Sequence, residues 1–257
     1  MAGSVEMSVT GGVALVEISN PPLNLLTMHV RSELRLVMER IGCDSSVRAV
    51  VLRSTGDRAF SAGSDISEFP RDARAGHRRA VQEHSCYDAV ADLPQPVVAE
   101  LSGHVLGGGL ELALACDIRV ADATAHLGLP EVKLGVFPSG AGTQRLPRTI
   151  GVSQAKRMML LGEIVDADRA LELGLVDEMV PRGQATAAAA EIAGRIAGQP
   201  ALAVQAIKKA VDHGLRFGTR AGQALEAELI AGLFATHDAQ EGVQAFLESR
   251  EPQFTHD

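Results

Sequence analysis

Apolar residues in the first half of the chain come mostly in short runs that suit strands, interrupted by one clearly amphipathic helix. Residues 5–9 and 13–18 are two such runs, and Thr10-Gly11-Gly12 between them is a hairpin signal. Asn20-Pro21-Pro22 then stops the sheet. Thr27 predicts an N-cap, because Val30, Leu34, Val37, Met38 and Ile41 behind it share one helical face; Gly42 stands where a closing glycine is expected. Residues 47–52 (VRAVVL) read as a buried strand. Strand, helix and strand in that order predict a wound α/β arrangement.

Residues 54–69 read as a polar turn, a short apolar step, and Ala62-Gly63-Ser64-Asp65 opening a possible helix. Arg71, Arg74, Arg78 and Arg79 cluster with Gly76 in what reads as a polar linker before a helix that runs to about residue 92. Pro94 and Pro96 precede a strand at 97–101. The stretch 102–116 (SGHVLGGGLELALAC) follows, then a strand at 117–121 and an irregular segment at 135–145 rich in Gly, Pro and Ser. Beyond Gly151 the pattern turns helical, at 154–161, 168–173, 185–196, 202–213 and 220–234. The expected division is a core of residues 1–195 and a helical region of residues 196–257, with the change of character falling between about 150 and 200.

The chemistry concentrates in the 102–116 stretch. Three glycines, Gly107, Gly108 and Gly109, precede a short helix that is apolar on all sides except for Glu111. A carboxylate in such a run is costly, so it is either neutralised through a raised pKa or retained for chemistry. The glycines let a ligand approach the backbone, and free N–H groups at a helix start face developing negative charge. Glu131 lies 20 residues further on, enough chain to cross and return, so two acids can meet at one cleft. Paired carboxylates with separated pKa values can hold and deprotonate water while passing a proton to carbon.

Composition narrows the partners. The chain has 257 residues, a formal net charge of -8, no Trp and one Tyr, which argues against nucleic acid as a ligand. Three dispersed cysteines form no metal or disulfide pattern, and no apolar run reaches the length of about 20 residues needed for a membrane span. A soluble, cytoplasmic protein that uses no separate cofactor or metal is the expectation.

The segments 59–65 (AFSAGSD), 103–112 (GHVLGGGLEL), 130–135 (PEVKLG) and 142–146 (GTQRL) together resemble the motifs of the crotonase (enoyl-CoA hydratase/isomerase) superfamily, in order and spacing over nearly the whole chain. The resemblance implies an α/β fold: a spiral of ββα units with a C-terminal helical trimerisation region, as a homotrimer or a dimer of trimers. It implies an acyl-CoA thioester substrate whose carbonyl oxygen is bound by the backbone N–H groups of Ala62 and Gly108, with CoA as part of the substrate. Glu111 and Glu131 match the two catalytic acids of true hydratases, Glu131 exchanging the proton at C2 and Glu111 activating the water that adds at C3. Ala59, Ser61, Asp65, Ile66 and Ser139 are the implied substrate-lining positions.

Two departures from the family pattern stand out. Ser139 replaces a glycine common in hydratases beside the catalytic water, and Ser249-Arg250-Glu251 replaces a Lys-Arg-Lys cluster near the CoA phosphates, shifting that role toward Arg58 and the arginines of 71–79. His104 and His126 match no catalytic position. Hydration of a trans-2-enoyl-CoA is the favoured reading. A Δ3,Δ2-enoyl-CoA isomerase relying on Glu131 and a non-catalytic acyl-CoA-binding member are the alternatives. A dinucleotide site is disfavoured because GGG before a buried acid lacks the G-x-G-x-x-G spacing.

Overall fold

The computed structural model describes residues 3–257. Its first half is a repeated strand–strand–helix unit. β1 (Ser4–Thr10) and β2 (Val13–Ser19) lead to α1 (Met28–Gly42); β3 (Ala49–Ser54) and β4 (Ala59–Ser61) lead to α2 (Ala73–Ala91); β5 (Val97–Leu101) and β6 (His104–Leu106) lead to α3 (Gly108–Ala113). β7 (Ile118–Asp122) and β8 (His126–Gly128) lead into a 3-10 turn, Glu131–Leu134. The chain continues through α4 (Gly142–Ile150), α5 (Val152–Leu161), β9 (Ile164–Asp166), α6 (Ala167–Glu172), β10 (Glu178–Val180) and α7 (Ala185–Ala197). Helices α8 (Ala201–Phe217), α9 (Thr219–Leu233) and α10 (His237–Leu247) complete it.

From the second unit on, the first strand of each unit joins one sheet and the second strand joins another. The larger sheet has the order β1-β2-β3-β5-β7-β10, antiparallel only at β1–β2, and the smaller runs β4-β6-β8-β9 with β9 antiparallel. This stepping builds the spiral. Alternation along the strands decides what covers each face: on β3, Val50 and Leu52 face the main core with Val30, Leu34 and Met38 of α1, while Ala49 and Val51 meet Ala185, Ala189 and Ala193 of α7. The alanine-rich helix thus packs directly on the second face of the larger sheet.

Several local expectations hold and others need correction. Thr27 caps α1, its hydroxyl accepting from the Val30 N–H at 3.2 Å, but Gly42 is the last residue of the helix and Cys43 the cap. The 71–79 segment is not a linker: Asp72 caps α2 through the Ala75 N–H, so Arg74, Arg78 and Arg79 are helical despite Gly76. The Ala62–Asp65 segment opens only a 3-10 turn at Ile66–Glu68. Helix α10 and the three-residue strands β4, β6, β8, β9 and β10 lie outside the predicted pattern, the strands being too short to show periodicity.

At the C-terminal end, α8 and α9 pack against each other, meeting where Gly222 and Gly214 approach so closely that a Cβ on Gly222 would lie 2.9 Å from the Gly214 Cα. Among the described residues, no helix is long and apolar enough to cross a membrane.

Candidate active site

The site forms where the 61–64 loop, the start of α3 and the 131–142 segment converge on α2. Glycine makes this possible. A Cβ on Gly63 would lie 2.8 Å from the Leu106 carbonyl, and one on Gly109 would lie 2.4 Å from the Ser61 carbonyl. Gly107 turns into α3 at φ 53° and ψ -127°, backbone that an L side chain resists.

Glu111 sits in the first turn of α3 and is only 3% exposed. Its Oε1 accepts the Gly142 N–H at 2.8 Å. Burial pushes its carboxyl up to about 8, and the charge of Glu131 adds to the shift, while backbone N–H groups of Gly142 and Gly140 partly oppose it. Glu131 opens the 3-10 turn and lies against Gly107, where a Cβ would be 3.2 Å from its Oε1. Its Oε2 is buried without a hydrogen-bond partner among the described residues, and burial pushes the carboxyl up to about 7. The two acids therefore face one site from opposite ends of Gly107–Glu111, each holding a proton more readily than a solvated glutamate.

The backbone donors require a correction. The Ala62 N–H is committed to the Leu23 carbonyl at 2.9 Å, because the loop pairs with the segment before α1. Two residues on, the Ser64 N–H carries no hydrogen bond among the described residues, and its segment lies beside Gly108: Gly63 is close enough that its Cβ would be 3.3 Å from the Gly108 nitrogen. Gly108, first in its helix, has no intrahelical partner for its own N–H. Ser64 and Gly108, rather than Ala62 and Gly108, are the donors free to meet an oxyanion.

The lining positions divide likewise. Ala59 is 1% exposed and Ser61 fully buried, with the Ala59 carbonyl accepting from Asn24 and the Ser61 hydroxyl accepting the Gly63 N–H, so both are engaged in building the loop. Asp65 caps the 3-10 turn through the Ser67 N–H and hydroxyl, which also hold its carboxyl below the usual range. Ile66 is exposed beside the site, and Ser139 reaches it from the 131–142 segment.

Sequence reasoning missed a charged group behind these residues. Arg31 of α1, 2% exposed, donates from Nη2 to the Ser64 hydroxyl at 2.7 Å and to the Tyr87 hydroxyl at 3.3 Å, and pairs with Glu83 Oε1 at 3.1 Å. Its Nη1 binds the Leu26 carbonyl. Glu83 also pairs with Arg79 and accepts the Ser139 hydroxyl at 3.3 Å, while its neighbour His84 meets the Ser139 carbonyl. Tyr87 is fully buried against Gly140, where a Cβ would lie 2.3 Å from its ring. The sequence cue for this group is that Arg31 stands three and seven residues before Leu34 and Met38, on the apolar face of α1. His104 and His126 lie side by side on β6 and β8, both exposed.

The protein-family description "Enoyl-CoA hydratase/isomerase" matches residues 8–257, and the chain belongs to that family, the crotonase superfamily. It is 36% identical to a short-chain-enoyl-CoA hydratase of Clostridium acetobutylicum over 249 residues, covering 96% of this chain and 95% of the relative. It is 34% identical to a crotonyl-CoA hydratase of Syntrophomonas wolfei over 94% of each. The crystal structure of an enoyl-CoA hydratase from Bacillus anthracis superposes with a TM-score of 0.94 at 35% identity, covering 99% of this chain and all of the other.

Proposed function

We propose that this protein adds water reversibly across the C2–C3 double bond of a trans-2-enoyl-CoA, giving a 3-hydroxyacyl-CoA. The observation that carries the reading is the pair of carboxyls, Glu111 buried and held by the Gly142 N–H and Glu131 with its buried Oε2 unpartnered, set on either side of the free Gly108 N–H. In this reading the Ser64 and Gly108 N–H groups hold the thioester oxygen as negative charge develops on it, each donor contributing about 3 kcal/mol. The step requires the pair with a single proton, on Glu131, so that Glu111 is the carboxylate: fixed by Gly142, it takes a proton from the water that attacks C3. Glu131, its Oε2 unpartnered, delivers a proton to C2. The enolate between these two steps carries the charge that the backbone donors meet.

Ser139 lies on the water side of this arrangement. For the nucleotide end, Arg250 is engaged by Glu241 and Glu248, whereas Arg58, Arg71, Arg74 and Arg78 are exposed and in no ion pair among the described residues. These four are the cations proposed to meet the CoA phosphates. Division into a core of residues 1–195 and a helical region of residues 196–257 is retained, with the helices as the trimer-forming part. The exposed Ile207, Phe217, Phe234, Phe246 and Leu247 support assembly as a trimer or dimer of trimers. The test is hydration of crotonyl-CoA and longer 2-enoyl-CoAs, followed by loss of enoyl absorbance and identification of the 3-hydroxyacyl product. No turnover at any chain length contradicts the proposal.

A further inference from the structure

We propose that the buried Arg31–Glu83 pair is a positioning device for this reaction, tying the oxyanion-binding loop on one side to the water-side loop on the other. The inference rests on the acyl-CoA reading above.

The geometry runs continuously across the site. Arg31 Nη2 holds the Ser64 hydroxyl at 2.7 Å, and Nη1 holds the carbonyl of Leu26, whose N–H in turn binds the Gly63 carbonyl at 2.8 Å. The loop bearing the Ser64 N–H is thereby fixed at two points. The same guanidinium lies against the start of α3: a Cβ on Gly108 would be 3.2 Å from Arg31 Nη2 and 2.8 Å from the Tyr87 hydroxyl. Arg31 therefore sets the spacing between the two free donors. On the opposite side, Glu83 receives Arg31 and Arg79, and its other oxygen accepts the Ser139 hydroxyl. Ser139 directly precedes Gly140, which packs on Tyr87 and on Glu111 Oε2.

A buried ion pair of this kind is weak support for stability, since desolvating both charges offsets most of their attraction. A role in fixing geometry accounts for its place beside the two acids. The serine at 139 also acquires a purpose: its hydroxyl gives the water-side loop a bond to α2 that glycine cannot make. The charged and titratable groups facing Glu83 are Arg31 of α1, Arg79, Cys86 and Tyr87 of α2, Glu111 of α3 and Glu131 of the 3-10 turn. The negative charge of Glu83 disfavours ionisation of Glu111 and Glu131, so neutralising it moves their titration to lower pH.

The experiment compares wild type with Arg31→Met, Arg31→Lys, Glu83→Gln and Ser139→Gly. Two readouts are used: kcat and KM for crotonyl-CoA across pH, and the enolate absorbance of bound acetoacetyl-CoA, which reports carbonyl polarisation without hydration. Arg31→Met is expected to lose the enolate signal and at least about tenfold in kcat with little change in KM, and Arg31→Lys to recover part of both. Glu83→Gln is expected to move the pH–rate limb downward, and Ser139→Gly to lower kcat while leaving the enolate signal intact. A folded Arg31→Met or Arg31→Lys protein with the full enolate signal overturns the proposal, as does an unmoved pH limb in Glu83→Gln. If wild type polarises acetoacetyl-CoA but hydrates no enoyl-CoA, the hydratase reading fails and the Arg31 prediction is still decided by the enolate signal. If wild type does not polarise it, both fail.

Discussion

Gly142 donates its backbone N–H to Glu111 Oε1 at 2.8 Å, and its Cα lies so near that a Cβ there would sit 2.8 Å from the same oxygen. The residue that holds the acid is thus one that only glycine can supply. Gly140 is under the same constraint, since its Cβ would meet Glu111 Oε2 at 2.6 Å and the Tyr87 ring at 2.3 Å.

Gly142→Ala and Gly140→Ala are therefore expected to displace Glu111 and to lower hydration by about 100-fold, the scale of an ångström-sized misplacement. Overpacking should also cost about 1–3 kcal/mol of stability. Crotonyl-CoA kinetics and urea unfolding midpoints measure the two effects. Near-wild-type rates in both variants would show that Glu111 is not held as described.

The raised pKa of Glu111 predicts a pH-dependent stability. In the folded chain the carboxyl keeps its proton up to about 8, whereas an unfolded glutamate releases it near about 4.3. Between those values the folded state binds the extra proton, so stability is greatest at the acid end of the window and declines as pH rises through it. Glu111→Gln removes this contribution. Urea midpoints at pH 5 and pH 8 should therefore differ less in the variant than in wild type.

Ala141 adopts φ 74° between the two constrained glycines, a left-handed conformation that disfavours a side chain. Ala141→Gly should relieve that strain and raise stability by about 0.5–1 kcal/mol. Thermal unfolding tests this. A lower Tm would mean that the loop depends on the Ala141 methyl group.

The α8–α9 crossing depends on Gly222, whose Cβ would lie 2.9 Å from the Gly214 Cα. Gly222→Ala is expected to separate the helices, cost about 1–3 kcal/mol, and weaken any assembly built on them. Denaturant unfolding and sedimentation measure the two parts independently.

What was legible in the sequence follows from range. Glu111 stood out because a charge within an apolar run violates a local pattern, and Thr27 and the Gly11–Gly12 turn declared themselves by local chemistry. Residues 97–101 form β5 as predicted because Pro94 and Pro96 punctuate the chain just before a mostly apolar run. The Ala62 reading failed because whether an N–H is free depends on a partner 39 positions away, the Leu23 carbonyl, which no local window contains. Glu83 was invisible for the same reason: it looks solvated on its own helix and is buried only where α1, α2 and the 61–64 loop meet, while Arg31 shows in the sequence only as a charge on the apolar face of α1.

The most direct test of the two-acid mechanism is a comparison of Glu111→Gln and Glu131→Gln on crotonyl-CoA, with wild type turning over and acetoacetyl-CoA binding confirming an intact site. Both variants should bind the analogue and lose hydration by at least about 100-fold, the contribution expected of a positioned acid or base. Hydration that survives Glu111→Gln would contradict the account, because water would then be activated without the residue that Gly142 holds in place.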